Sequence, residues 1–196
     1  MITSRKDLEF YIQNDCKSCT GRHKINIFLL YLHCYYGNDL YRVYRYLRSL
    51  RKYEYALNCY RGPLGRILQL KAKVCWHRLG AKYNININPN TVGYGLRCPH
   101  LVGGVIINAA QVGNFCTINS GVIVGKKGCD EFAVIGNNVE LCVGCKVIGG
   151  VVIGDNVIVA PNSVVVNDVP ANAIVSGIPA KIIKYRETSN ITTIND

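Results

Sequence analysis

Aliphatic residues recur every six positions through the second half of the chain. They fall at Ile106, Val112, Ile118 and Val124 and, after a change of register, at Ile135, Leu141, Val147, Ile153, Val159 and Val165. A small or β-branched residue stands four positions after most of them, at Cys116, Val122, Val139, Cys145, Val151, Val157, Ser163 and Val169. A period of six fits neither an α-helix nor a simple alternating strand, whereas a solenoid with three flat faces per coil produces it. The pattern therefore predicts a parallel β-helix and disfavours the alternative, an antiparallel sandwich.

One interruption breaks the repeat between Val124 and Ile135, which are eleven positions apart. Each coil should take about 18 residues, in three hexapeptides whose aliphatic residues point inward. The extra chain, about residues 126–134, must therefore bulge out of the coil wall. Function is usually added to a solenoid at such a bulge, because the repeats themselves form the scaffold.

Residues 1–80 have a different texture, with long glycine-free runs and apolar residues at mixed spacings of three and four. This pattern predicts three or four helices, with a break at Gly62-Pro63. After Gly80 the composition shifts to Val, Ile, Gly and Asn. We therefore predict a mainly β fold, in which a helical region (1–80) precedes a β-helix domain (81–186) and a flexible tail (187–196).

Basic residues crowd into the first half of this chain of 196 residues, which has a formal net charge of +11 and a hydrophobic content of 49%. Within that half, Arg42, Arg45, Arg48 and Arg51 recur every third residue, which predicts a cationic stripe on a helix. We interpret the stripe as a solvated face. A functional stripe would instead contact an anionic glycan carrier at a membrane face. Nucleic acid is not an expected partner.

The cysteines and the apolar segments bear on the cellular compartment. Ten cysteines accompany a first segment, residues 1–17, that mixes charges and has no apolar core, so we expect reduced thiols and a cytoplasmic protein. The most apolar window outside the repeats, residues 25–36, is too short to span a bilayer. Cys-x-x-Cys spacings begin at Cys16 and Cys142, but neither has an evident second ligand pair. No metal site and no transmembrane segment are predicted.

The second half also carries motifs of a known family. Gly93-Tyr94-Gly95-Leu96 is followed by His100, then by Gly104-Val105-Ile106-Ile107-Asn108, and at the end by Val175-Ser176-Gly177-Ile178-Pro179-Ala180-Lys181. These features resemble the serine-acetyltransferase-like branch of the hexapeptide acyltransferases, and the repeats also resemble surface-polysaccharide O-acetyltransferases. The resemblance implies a left-handed β-helix, a homotrimer and acetyl-CoA as the acetyl donor. Residues 1–80 contain no motif that can be aligned.

His100 matches the catalytic histidine of that family by position, and histidine is the side chain that changes charge near neutral pH. Asn86 stands where the serine enzymes place an aspartate that orients the histidine. An amide can hold a ring tautomer but cannot stabilise an imidazolium by charge. The alternative is a packed histidine, because counting back in sixes from Ile118 reaches position 100. Pro99 and the nearby glycines interrupt the coil there and favour the catalytic role.

The positions that read the acceptor depart from the serine enzymes. Pro99 replaces an acid, and Glu131 and Phe132 replace an Arg-His pair in the bulge. Because Glu131 would repel an α-carboxylate, we expect a sugar hydroxyl as the acceptor, contacted by Tyr94, Asn119 and Phe132. L-Serine is the alternative acceptor, and a non-catalytic scaffold is the second alternative.

The resemblance also implies where coenzyme A binds. Its pantetheine arm lies between neighbouring subunits, against backbone groups at coil turns that correspond here to Gly125, Val143 and Pro161. Lys181, near the end of the repeats, is a candidate for contact with the phosphates.

Overall fold

The first part of the chain folds into helices, as the sequence predicts. The structure is a computed structural model that describes residues 1–128 and 131–186. Its helices are α1 (Arg5–Thr20), α2 (Ile27–Tyr35), α3 (Asp39–Cys59) and α4 (Gly62–Tyr83). The predicted break separates α3 from α4, with Pro63 in the first helical turn, where a missing amide donor costs nothing. The predicted tail, residues 187–196, lies outside the described residues.

Short strands joined by turns follow the helices in the described chain. They are β1 (Ile85–Ile87), β2 (Val105–Ile107), β3 (Gln111–Val112), β4 (Thr117–Ile118), β5 (Val122–Gly125), β6 (Val134–Ile135), β7 (Glu140–Leu141), β8 (Lys146–Ile148), β9 (Val152–Ile153), β10 (Ile158–Val159), β11 (Val164–Val165), β12 (Ala173–Gly177) and β13 (Ala180–Tyr185). They form three parallel sheets: sheet A is β1-β2-β5-β8-β11, sheet B is β3-β6-β9, and sheet C is β4-β7-β10-β12. β13 pairs antiparallel with β12. The fold is the predicted left-handed β-helix, each coil of which visits sheets A, B and C in turn.

The predicted aliphatic residues fill the interior of the β-helix, with one exception. Val112, Ile118, Val124 and the six from Ile135 to Val165 are at most 1% exposed, and the eight predicted corner residues are also buried. Ile106 is 45% exposed, whereas its neighbours Val105 and Ile107 are buried. The prediction for Ile106 was wrong because the step from Ile107 to Val112 is five residues, so counting in sixes reaches the outward neighbour.

Each coil turns between sheets B and C through a residue with left-handed backbone. These residues are Gly95, Phe115, Asn138, Asn156 and Asn172, with φ between 53° and 74°. Glycine and asparagine tolerate this conformation best. The side-chain amide of Asn138 donates to Asn156, and that of Asn156 donates to Asn172, both over 2.9 Å. This ladder of amides fixes the vertical alignment of the last three coils.

Arg51 corrects the interpretation of the arginine stripe as a solvated face. Its side chain is fully buried, with Nε 2.9 Å from Asp15 Oδ2 and Nη1 3.1 Å from Glu54 Oε2. Nine residues of α-helix rotate a side chain by about 180°, so Arg42 and Arg51 lie on opposite faces of α3. A spacing of three therefore does not keep all four arginines in solvent.

The buried ions also satisfy backbone groups of the first coil, which has no earlier coil to pair with. Arg51 Nη1 donates to the carbonyl oxygen of Val92 over 2.8 Å, and Nη2 donates to that of Gly93 over 2.5 Å. Two carboxylates accept from amides of the same coil: Asp15 from Gly95 over 2.7 Å, and Glu54 from Asn90 over 2.8 Å. Tyr46 adds an acceptor for the amide of Ile87 over 3.2 Å.

Charge balance in this cluster depends on Arg51. Burial alone would lower the pKa of Arg51, but the facing carboxylates of Asp15 and Glu54 outweigh burial and raise it above its ordinary value. Burial raises the pKa of Glu54, and the opposing effects of Arg51 and the Asn90 amide offset this only in part. The guanidinium is therefore the group that keeps two buried carboxyls compatible with the fold.

Replacing Arg51 with leucine should lower the free energy of unfolding by about 3–5 kcal/mol, because two buried carboxyls lose their cation. In this variant the pKa of Glu54 rises further above its unfolded value of about 4.3. A raised carboxyl pKa makes the folded state weaker as pH rises, so the deficit should be larger at high than at low pH. Urea unfolding at several pH values measures both effects. The matched control is Arg48→Leu, because Arg48 is half-exposed and makes no ion pair in the described part. Equal losses in the two variants would contradict the assignment.

Candidate functional site

His100 lies at the corner where the chain passes from sheet C to sheet A. We call this corner, with residues 99–104, 119–121, 142–144 and 160–162, the His100 corner. The amide of Gly121 donates to the carbonyl oxygen of Gly104 over 2.7 Å, which stacks the second coil on the loop that carries His100. The corner thus brings together turn residues of four successive coils.

The side chain of His100 is exposed. Within residues 1–128 and 131–186 it makes no hydrogen bond, ion pair or ring contact. The interior beside it is filled by Cys98 and Val105, which are at most 1% exposed. The alternative of a packed, inward-facing histidine is therefore wrong, for the same reason that counting in sixes fails at Ile106.

The loop around His100 is held by the start of α3. Asp39 Oδ2 accepts from the amide of Leu101 over 3.2 Å, while Oδ1 pairs with Arg42 Nη1 at 3.2 Å. At the end of the loop Gly104 has a φ of +75°, and a β-carbon there would meet the side chain of Asn84 at 2.5 Å. The loop therefore needs glycine at Gly104 and a carboxylate at Asp39 to present His100 as it does.

Asn86 lies apart from this corner. It is the exposed central residue of β1 and pairs in register with Ile106. Together with Trp76 and His77 of α4 it lines a hollow of about 250 Å³. No hydrogen bond joins Asn86 to His100 in the described part of the chain. The predicted pair of His100 and Asn86 is therefore not assembled within a single chain. The histidine that shares the hollow with Asn86 is His77 of α4, for which the sequence predicts no role.

The predicted acceptor contacts divide among three corners. Asn119 lies at the His100 corner, and its side-chain amide donates to the carbonyl oxygen of Leu141 over 3.1 Å. Tyr94 lies at the turn between sheets B and C. Its ring packs edge-on against Phe10, Tyr11 and Phe115, with 4.9 to 5.5 Å between ring centres. Phe132 lies in the bulge between sheets A and B, with Lys126 Nζ 5.6 Å from its ring centre. Tyr94 is therefore packed against α1 and does not contact the corner of His100.

The bulge itself occurs where the spacing predicts it. It leaves β5 after Gly125 and rejoins the coil at β6, and the amide of Lys127 donates to the carbonyl oxygen of Glu131 over 3.3 Å. Residues 129 and 130 of the bulge lie outside the described residues.

Two of the predicted coenzyme A positions form a column above His100. The amide of Gly144 donates to the carbonyl oxygen of Ser120, and the amide of Asn162 donates to that of Val143, both over 2.9 Å. These bonds stack Ser120, Val143 and Pro161 in successive coils. At the top of the column the amide of Gly177, at the end of β12, donates to Ser163 Oγ over 3.1 Å.

The other two predicted coenzyme A positions, Lys181 and Gly125, are not part of the column. Lys181 is exposed on β13, opposite Ser176, just after the hairpin that ends the column. Gly125 lies at the corner between sheets A and B, where the bulge begins, so it does not belong to the column.

Lys146 is a residue of the corner that the sequence analysis missed. It faces outward from β8, and its Nζ donates to the carbonyl oxygens of Gly121 (2.9 Å) and Gly144 (2.6 Å). An ammonium has three donors, so one remains for a ligand. No sequence signal marks this lysine, because its place depends on two carbonyl groups from different coils.

Thiols, metals and membrane spans add little to the site. The nine cysteines described are free thiols, and Cys145 is buried while Cys142 is half-buried, as the repeat register predicts. In the described ranges no three His, Cys, Asp or Glu side chains are grouped so as to hold a metal ion. Among the described helices, none has the length and apolar character needed to cross a bilayer.

Comparison with known proteins supports the repeats and points to one group of relatives. Residues 132–167 match the family described as bacterial transferase hexapeptide (six repeats). The chain is 29% identical over 167 residues to the serine acetyltransferase of Buchnera aphidicola subsp. Schizaphis graminum, covering 83% of this chain and 58% of that protein. It is 39% identical over 106 residues to the serine acetyltransferase of Synechococcus elongatus, covering 52% and 43%. The chain thus spans about half the length of the curated relatives it matches.

Similarity to solved structures extends into the helical region. The serine acetyltransferase of Neisseria gonorrhoeae in complex with serine is 27% identical, with a TM-score of 0.67, and the match covers 92% of this chain and 71% of that one. The helices therefore take part in the likeness, although residues 1–80 offered no motif to align. The relatives and the structure named above are serine acetyltransferases, which confirms that resemblance, while the surface-polysaccharide branch gains no support.

Proposed function

We propose that the chain is an acetyl-CoA-dependent O-acetyltransferase that acetylates the hydroxyl of L-serine. Its similarity to serine acetyltransferases supports both the reaction class and the acceptor. The observation that carries the proposal is the exposed His100 at a corner that also holds Lys146 and the Val143–Pro161 column. A general base next to a groove of backbone turns suits acetyl transfer to a hydroxyl, and a cation suits an acceptor that carries a carboxylate.

His100 acts as the general base in this proposal. Its ring nitrogen accepts the hydroxyl proton as the oxygen attacks the thioester carbonyl carbon, which forms a tetrahedral oxyanion. Collapse of this intermediate breaks the carbon–sulfur bond, and the imidazolium returns the proton to the departing thiolate. The base must be accessible to the substrate, and the exposure of His100 meets that need.

Lys146 supplies positive charge at the same corner. Two of its donors hold carbonyl oxygens of Gly121 and Gly144, which directs the ammonium toward the corner. We assign its third donor to the carboxylate of L-serine, because a charge-assisted contact is the type of interaction an α-carboxylate requires. This cation answers the objection that Glu131 in the bulge repels the acceptor.

A second candidate acceptor is a neutral hydroxyl compound such as a sugar. Pro99 and Glu131 favour it, because neither provides the charge or the donors that an α-carboxylate prefers. The half-buried Asn119 at the His100 corner offers an amide of the kind that binds sugar hydroxyls.

Coenzyme A would lie along the Val143–Pro161 column and reach Lys181 with its phosphates. The column offers backbone groups at successive turns, and Lys181 is an exposed cation beyond its upper end. The phosphates of the cofactor require such a cation at the far end of the groove.

A homotrimer would complete the site. Within one chain sheet A separates Phe132 in the bulge from the His100 corner, so both contact one acceptor only if the bulge comes from a neighbouring chain. The coil faces also carry exposed aliphatic residues suited to burial, among them Ile106 and Val152 at 45% and 50% exposure. Closed cyclic assembly is the usual way to cover such faces.

Light scattering should give a mass of about three chains of 21.7 kDa. Replacing Val152 with glutamate would place a charge in each interface and should release single chains with lower activity. A wild-type chain that remains monomeric at micromolar concentration and turns over at the full rate would remove the trimer from the proposal.

Replacing His100 with alanine should lower the rate at saturating substrates by roughly two to four orders of magnitude, the usual contribution of a general base. The affinity for acetyl-CoA should hardly change, because its contacts lie on backbone groups further up the column. His23→Ala is the control, since His23 is exposed and lies between α1 and α2. A folded His100→Ala protein within about threefold of the parent rate would refute the assignment.

The acceptor can be identified by measuring thiol release with L-serine, L-serinamide and neutral sugars. L-Serinamide keeps the hydroxyl but has no carboxylate, so we expect its kcat/KM to be at least about tenfold lower, from loss of one charge-assisted contact. Lys146→Gln should raise KM for L-serine and leave L-serinamide unchanged. Faster turnover of a sugar than of L-serine would support the second candidate and leave the role of His100 intact.

A further inference from the structure

The outward face of α4 combines aliphatic and cationic side chains. Leu64, Ile67, Leu70 and Val74 are 70%, 52%, 61% and 46% exposed, and the buried residues of this long helix are Gly65, Gly80 and Tyr83. Lys71, between Leu70 and Val74, and Arg78, one turn after Val74, are also exposed. Positions three and four apart share one side of a helix, so both kinds of side chain face the same direction.

A cationic groove adjoins this helix. It lies between α2, α3 and α4 and has a volume of about 570 Å³. Its charged lining residues are all basic: Arg45, Arg48, Lys52, Lys71, Arg78 and Lys82. On its other side, α2 exposes Phe28 and Tyr35, at 69% and 83%. We call the groove and the exposed faces of α2 and α4 together the basic face.

No ion pair offsets the positive charge of the six groove cations in the described part of the chain, residues 1–128 and 131–186. The sequence contains no Asp or Glu between positions 55 and 129, which includes all of α4. Burial lowers the pKa of Lys52, and the like charge of Arg48 lowers it further. Uncompensated like charges destabilise a compact surface unless anions from outside offset them.

The mixture of charges and apolar side chains decides among possible partners. A second copy of the same face would bring like charges together, which opposes self-association. A nucleic acid offers phosphates, but it provides no hydrocarbon layer for four exposed aliphatic side chains. An anionic bilayer offers phosphates at its surface and hydrocarbon just below it, at the depth that a basic amphipathic helix reaches.

We propose that the basic face docks on a bilayer containing anionic phospholipids. The groove cations contact lipid phosphates, while the aliphatic residues of α4 and the aromatic residues of α2 enter the interfacial layer. The contact is peripheral and reversible. It would hold the chain at a membrane surface through its helical region.

Vesicle flotation tests this proposal with phosphatidylcholine vesicles that contain or lack phosphatidylglycerol. We expect binding only when phosphatidylglycerol is present, with weaker binding at higher salt. Lys71→Glu combined with Arg78→Glu should lower the affinity by at least about tenfold, because each basic residue near an anionic surface contributes measurably. The control, Lys6→Glu with Lys184→Glu, changes the net charge equally at exposed sites off the basic face and should bind nearly as the parent does.

The apolar contribution is tested with Ile67→Ser combined with Leu70→Ser. Both side chains are more than half exposed, so melting temperature should be unchanged while vesicle affinity falls by about tenfold. Ile182→Ser with Ile183→Ser, on β13, is the matched control.

Four outcomes would overturn the proposal. The first is equal affinity for vesicles with and without phosphatidylglycerol, and the second is an equal loss of affinity in the two charge-reversal variants. The third is tighter binding to soluble RNA than to vesicles, with no effect of the Ile67→Ser, Leu70→Ser variant. The fourth is self-association through α4 without vesicle binding.

Discussion

The open edge of the first coil is the constraint on which the rest of the structure depends. A β-helix satisfies its backbone groups by pairing each coil with the next, so the first coil has a row of donors and acceptors without partners. Here Asp15, Arg51 and Glu54 of α1 and α3 supply those partners. The helices are therefore needed for the repeats to begin. One of them, α3, also positions the loop that carries His100, through Asp39.

Periodicity predicted the solenoid well, because each inward position must be apolar and each corner must be small or tolerate an unusual backbone. It failed where a coil departs from six residues per face, at Ile106, and the same error suggested an inward slot for His100. It also failed for Arg51, because the burial of this arginine depends on two carboxylates. Asp15 is thirty-six positions away in the sequence, and Glu54 is three positions away. No local pattern in a sequence records such a partnership.

The candidate site also contains both residues that a local pattern predicts and residues that only contacts between distant segments define. Motif and spacing predicted roles for His100, Val143 and Pro161, and the backbone pairing of successive coils explains why they share one corner. Lys146 and Asp39 were missed because each is defined by a bond to the backbone of a distant segment. The packing of the Tyr94 ring against aromatic residues of α1 is a contact between distant segments that the repeat pattern does not describe.

The antiparallel strand β13 determines how long the β-helix can become. A parallel stack is open-ended, and a bare last coil would offer its edge to the first coil of another molecule, which leads to fibres. By folding back on β12 in the opposite direction, β13 occupies that edge in sheet C with a strand that cannot template another coil. The helices cover the first coil, and at the last described coil the direction of β13, not surface charge, opposes growth of the stack in sheet C.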